Sequence, residues 1–237
     1  MDISELEQIL KEHLVAKFGV AELTPFKKEG EAIPAGLLEP YTVALSMAIA
    51  LDDDIIDGIT DRPTNDYAHL YWKINDVLNR AAFAASMWIE KKGYRAKAIP
   101  ASYFADEKNL LGNISHKAVA RMAGLGWQGK SLLLVTPEHG PRVRLVTVLT
   151  DMPLKPGSPI TNKCGECMEC TEACPVGAIR GVSYNDKEGH YETREQALDH
   201  QACFERTKEN KAKPEYGALV CGVCIRACPW GGMKGKK

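Results

Sequence analysis

No cysteine occurs before position 164, and all 8 cysteines of the 237-residue chain lie between Cys164 and Cys228. A long apolar run is also missing. The longest nearly apolar stretch, Val43 to Leu51, falls far short of the ~20 residues that a membrane-spanning helix needs. Nor does one sign of charge dominate: 30 Lys+Arg stand against 31 Asp+Glu, a net charge of −1. No global basic field therefore points to nucleic acid, and no acidic tail to a basic partner. The opening Met1-Asp2-Ile3-Ser4-Glu5-Leu6-Glu7 lacks the basic start and apolar core of a secretory signal, so the expectation is a cytoplasmic protein without membrane association. With 45% hydrophobic and 26% charged residues, the composition excludes a disordered or collagen-like chain.

The length predicts one large or two small domains. Ile3, Leu6, Leu10, Leu14 and Phe18 form a helical stripe over 2–18, with Asp2 as cap and Gly19 as stop. Thr42 to Leu51 reads as a buried strand that leads into the acidic turn Asp52 to Thr64. A long helix over 65–92, stopped by Gly93, precedes a strand over 95–99 and a shorter helix from the cap Ser115 to Ala123. Leu132 to Thr136 and Arg142 to Thr150 read as a hairpin around Pro137 to Pro141. Three prolines between Met152 and Pro159 mark a linker, which predicts domains over 1–152 and 160–237.

Clustered cysteines in a reducing compartment argue for metal binding over disulfides. Cys164-x-x-Cys167-x-x-Cys170-x-x-x-Cys174-Pro175 has the spacing of a bacterial-type 4Fe–4S site, whose fourth cysteine reaches the other cluster of a pair. Cys221-x-x-Cys224-x-x-x-Cys228-Pro229 supplies that partner, with Cys203 upstream. The crossed pattern places Cys164, Cys167, Cys170 and Cys228 on one cluster and Cys174, Cys203, Cys221 and Cys224 on the other. Zinc held by four thiolates is the alternative, although zinc sites usually pair two Cys-x-x-Cys knuckles.

Gly124-Leu125-Gly126-Trp127-Gln128-Gly129-Lys130-Ser131 matches both a dinucleotide fingerprint and a P-loop. Both motifs require a strand before the loop and a helix after it, and here the order is reversed. Three glycines still permit close backbone approach to a cofactor, with Lys130, Ser131 and Arg142 as anion-binding groups and Trp127 as wall or core. His116 and Lys117 open the shorter helix, where a histidine's pKa is depressed and its ring can exchange a proton. Tyr67, Tyr71 and Trp72 read as a packing face, and Asp57, Asp61 and Arg62 as a turn that can meet a substrate.

Taken together, Asp57 to Thr64, Ile99-Pro100-Ala101-Ser102, Ile114-Ser115-His116-Lys117, Ala123 to Ser131, Gly140 to Asp151 and the cysteine array resemble the epoxyqueuosine reductase family, which is similar in architecture to reductive dehalogenases. The resemblance implies an α+β chain: a nitroreductase-like N-terminal α/β domain holding a redox cofactor, then a bacterial ferredoxin-like double 4Fe–4S domain. It implies cobalamin as that cofactor, with FMN or none as alternatives, facing Gly124, Gly126, Trp127, Gly129, Lys130, Ser131 and Arg142. A low-potential donor such as ferredoxin or flavodoxin would feed electrons to a small-molecule substrate, with His116 first and Tyr103 second as proton source. The carboxylate that the family places upstream of the glycine loop falls at Leu110, with Asp106 and Glu107 out of register. The helical-repeat extension of longer members does not follow Trp230, which leaves Lys234, Lys236 and Lys237 as the basic surface for any transfer RNA. Three readings stand: a small-substrate reductase, a tRNA epoxyqueuosine reductase, and a non-enzymatic electron-transfer module.

Overall fold

The computed structural model describes residues 2–29, 33–183 and 193–232. Lys234, Lys236 and Lys237 lie outside them. The elements in chain order are α1 (Ser4–Glu12), β1 (Lys17–Glu22), α2 (Thr24–Glu29), β2 (Val43–Ala50), α3 (Asp53–Asp57), α4 (Asn65–Lys91), β3 (Ala96–Ile99) and α5 (His116–Met122). They continue with β4 (Trp127–Gln128), β5 (Leu134–Val135), β6 (Val143–Thr150), α6 (Glu169–Glu172), a 3-10 turn (Arg194–Gln196), α7 (His200–Lys211) and α8 (Val223–Ala227). The chain is a mixture of helix and strand in two compact units, each built from three segments. One comprises Met1–Ile49, Asn75–Leu125 and Arg144–Pro159; the other comprises Ala50–Ile74, Gly126–Val143 and Ile160–Lys237.

The first unit holds a four-stranded sheet in the order β1-β2-β6-β3. β1 runs antiparallel to β2, with Gly19 opposite Ser46, and β3 antiparallel to β6, with Ala98 opposite Val148. The unbroken apolar sequence of β2 suits its central place, where all but its last residue are buried. Ser115 caps α5 by accepting a hydrogen bond from the Ala118 amide at 3.3 Å. The expected helix over 2–18 is shorter. It ends at Glu12, Leu14 sits at φ 60 with 66% of its surface exposed, and Phe18 lies on β1. The cause is that Ala16 already bonds to Ala48, so strand pairing overrides the helical period. The proline-rich stretch 152–159 packs within this unit, with Met152 and Leu154 buried and the Gly157 amide bonded to Val20 O at 2.8 Å.

In the second unit, Asp52 and Asp199 cap α3 and α7 by accepting from the Ile55 and Ala202 amides, each at 3.0 Å. α6 and α3 both pack on α8. An apolar cluster of Leu51, Ile56, Ile59, Tyr67, Ala68, Ala218, Val220 and Val223 supports them, with Tyr71 against it. Trp72, expected on the same face, is 54% exposed. The expected hairpin of 132–136 with 142–150 does not form. β5 instead turns back on β4, pairing Val135 with Trp127, whereas β6 belongs to the larger sheet. The glycines decide this. A Cβ on Gly126 would overlap the Val135 carbonyl and one on Gly129 would come within 2.8 Å of Val135 Cγ2, so only glycines let the two short strands close.

Candidate metal centre

Local hydrogen bonds shape the segment that carries the first three cysteines. Asn162 Oδ1 accepts from the Cys164 amide at 2.8 Å while Asn162 Nδ2 donates to Gln128 O at 2.8 Å, and the Cys167 amide donates to Cys164 O at 3.1 Å. α6 then carries the chain to Cys174, whose sulfur accepts from the Ala178 amide at 3.3 Å. Cys203 lies on α7, one turn beyond its cap, where its amide bonds to Asp199 O. Gly222, at φ 83, caps α8 and separates Cys221 from Cys224; Cys228 follows the helix.

Through-space electrostatics sorts these thiols. Cys228 is pushed up to about 12, first by burial and then by the charges of Cys164, Cys170 and Cys167, against the Trp230 amide that bonds to it. Cys170 is raised by burial and by Cys164 and Cys167. Cys224 is raised further still, by burial and then by Cys221, Cys203, Cys170 and Cys174, and Cys221 is raised by burial and by Cys174, with Arg206 acting in the opposite sense. Cys164, Cys167, Cys170 and Cys228 line one pocket, and Cys174, Cys203 and Cys221 act on one another or on Cys224. Cys170 and Cys224 are where the sets adjoin. A bound metal compensates the thiolate charge that burial disfavours at Cys170, Cys221, Cys224 and Cys228.

The first set lines a pocket together with Gly129, Lys130, Ser131, Val135, Pro229 and Trp230. A Cβ on Gly129 would lie 3.6 Å from Cys164 Sγ. Lys130 is 5% exposed and its Nζ donates to Cys167 O at 2.9 Å. Trp127 is buried and meets the Trp230 ring edge to face at 4.8 Å, with Lys163 Nζ 5.9 and 5.7 Å from the two ring centroids. Of the residues expected to touch an organic cofactor, Gly129, Lys130 and Ser131 are thus gathered around thiols. Gly126 is filled by Val135. Gly124, at φ 78, lies in the first unit, where it follows α5 and meets the Ser158 carbonyl of the same unit. Arg142 is committed to carboxylates: it is 3% exposed and donates to Asp53 Oδ1 at 3.0 Å and Asp57 Oδ1 at 2.6 Å. Asp61 forms a separate exposed pair with Arg62 at 3.1 Å, which holds its carboxyl at about 2.

Within the first unit, both ring nitrogens of His116 are engaged. Nδ1 lies 2.8 Å from Thr147 Oγ1 and Nε2 lies 2.9 Å from Pro100 O. Since a carbonyl only accepts, Nε2 carries the proton and Nδ1 accepts from Thr147 in the neutral ring. Burial, opposed by the Pro100 bond and reinforced by Arg144, lowers its pKa to about 4. Beside it is a group that the motifs did not flag: Arg144 donates to Asn75 Oδ1 at 2.7 Å and to Ser102 Oγ at 2.8 Å. No local spacing signals this group, because α4, the turn after β3 and β6 each supply one member. Tyr103 is 58% exposed.

Residues 163–231 match the 4Fe-4S double cluster binding domain. An epoxyqueuosine reductase of Listeria monocytogenes is 46% identical over 70 residues, which are 30% of this chain and 18% of that protein. One from Gloeobacter violaceus is 30% identical over 164 residues, covering 65% of this chain and 45% of the relative. The chain therefore spans less than half the length of these curated relatives. Among solved structures, an epoxyqueuosine reductase with an epoxyqueuosine-modified tRNA stem loop is similar at TM-score 0.64 and 23% identity, covering 98% of this chain and 65% of that one. A catabolic reductive dehalogenase is similar at TM-score 0.72 and 20% identity, covering 98% and 32%. These two likenesses show the fold.

Proposed function

We propose that this chain, which belongs to the epoxyqueuosine reductase-like double 4Fe–4S cluster family, is an oxidoreductase that passes low-potential electrons through two 4Fe–4S clusters to reduce a small substrate. The observation that carries this reading is the pocket that Cys228 shares with Cys164, Cys167 and Cys170, three cysteines of the other segment, within residues that match a 4Fe-4S double cluster binding domain. In this reading Cys164, Cys167, Cys170 and Cys228 hold one cluster and Cys174, Cys203, Cys221 and Cys224 the other.

The surroundings fit such groups. The donors are all thiols, and the buried Nε of Arg206, whose charge acts on Cys221, has no partner among the described residues. Buried donors of this kind are costly unless an acceptor such as a cluster sulfur meets them. When bound, each cluster supplies a one-electron couple. The chain's part is to hold and shield them. Lys130 ties down the Cys167 carbonyl, Gly129 lets the loop lie against Cys164, Val135 and Trp230 wall off water, and Arg142 anchors the segment beyond Cys228.

A nitroreductase-like fold and a cobalamin or flavin cofactor for the other unit remain part of the reading, as does a donor such as ferredoxin or flavodoxin. The loop residues expected to grip that cofactor are spent on Val135, Ser158, the thiol pocket and Asp53 with Asp57, and so do not fit it. His116 is the expected proton source, with Tyr103 second. To pass a proton, His116 must exchange its bond to Thr147 or to Pro100. Replacing it with Gln is expected to lower turnover while leaving the cluster spectrum intact; unchanged turnover removes it from the mechanism.

Reduction of epoxyqueuosine in tRNA is the second reading, favoured by the names of the relatives. It predicts a shift of epoxyqueuosine-containing tRNA in a low-salt gel, where absence of retention counts against it. Anaerobic purification with iron, sulfide, cobalt and flavin analysis tests the main reading. Iron and sulfide without any organic cofactor, even after supplying cobalamin and flavins, would leave an electron-transfer module.

A further inference from the structure

We propose that Lys130 raises the reduction potential of the cluster held by Cys164, Cys167, Cys170 and Cys228. The inference rests on the ligand sets given under the proposed function and concerns a residue outside the matched domain of residues 163–231.

Lys130 is a buried cation whose two partners are both uncharged, the Cys167 carbonyl at 2.9 Å and the Met168 thioether at 3.5 Å. It lines the same pocket as the four thiols of its set and is the one cationic side chain there among the described residues. The acidic side chains of the cysteine loop, Glu166 and Glu169, belong to exposed residues, where water screens them.

A reduced cluster carries one more negative charge than its oxidised form. A nearby positive charge in a low-dielectric pocket therefore favours reduction. Lys130 thus raises the potential of the cluster in its own pocket. A structural lysine that only pinned the loop would leave this potential unchanged when its bond was lost but the iron kept.

The test is an EPR-monitored redox titration of the full-length, anaerobically reconstituted protein, with iron content measured alongside, for wild type, Lys130→Met and Lys130→Arg. The account expects Lys130→Met to lower the midpoint of one cluster while the other holds, and Lys130→Arg to restore it. Two iron-loaded clusters with unmoved midpoints in Lys130→Met would overturn the assignment while leaving the ligand sets standing. Iron lost from Lys130→Met but retained in Lys130→Arg with an unshifted midpoint would also overturn it, by assigning Lys130 to loop anchoring. Wild type that binds no iron would remove both the assignment and the reading on which it rests.

Discussion

Arg142 illustrates how far a single side chain can be from its sequence-based expectation and still matter to the site. Its guanidinium is buried between Asp53 and Asp57, and the backbone of Gly231 and Gly232 lies directly against it, leaving no room for a Cβ on either glycine. Replacing Arg142 with Met strands two carboxylates that are 38% and 45% exposed, so water recovers part of the loss. The expected destabilisation is about 2 kcal/mol, below the range for a fully buried pair, measured by chemical denaturation of the holoprotein. His116 carries a pH signature. Its pKa of about 4 lies below the ordinary value of 6.5, so between these limits the unfolded chain binds the proton and the folded chain does not. The stability that comes from keeping His116 neutral is full above about pH 6.5 and fades as the pH falls toward 4. His116→Gln is expected to flatten this acid limb by about 2 kcal/mol in denaturation midpoints compared at pH 7 and pH 4.5. An unchanged limb would show that the ring is not held neutral.

Among the elements, the turn from β4 into β5 depends on the absence of side chains. Gly129→Ala places a methyl 2.8 Å from Val135 Cγ2 and beside Cys164 Sγ, so a loss of about 1–3 kcal/mol is expected, together with reduced iron retention. Ser115→Ala removes the cap of α5 at a cost of about 1 kcal/mol without touching iron content. β2, β3, α4 and α5 were legible in the sequence because their signals are local: an apolar run, an alternation, a cap and a glycine stop. The 132–150 hairpin was not, because pairing of Val135 with Trp127 is decided by how closely backbones can approach, and the regular expression of the glycine loop hides that role behind a nucleotide motif. The shortened α1 failed for a similar reason, since Leu14 and Phe18 fit a helical stripe until Ala16 meets Ala48. At the site, the cysteine spacing alone pointed to the double-cluster domain that residues 163–231 match. The commitment of Arg142 to Asp53 and Asp57, and of Arg144 to Asn75 and Ser102, joins distant segments and leaves no periodic trace.

For the molecule as a whole, the account turns on eight thiols acting as two crossed sets of four. Cys228→Ser is therefore expected to damage the cluster of Cys164, Cys167 and Cys170, not the one that includes its sequence neighbours Cys221 and Cys224. Cys174→Ser should do the reverse, and EPR of the reduced variants would distinguish the surviving signals. The most direct measurement is the iron and acid-labile sulfide content of wild-type protein purified without oxygen, read with its reduced EPR spectrum. The account predicts equal iron and sulfide amounting to two clusters per chain, with the broadened signal of two paramagnetic centres close enough to interact. Zinc in place of iron, with no labile sulfide, would contradict it.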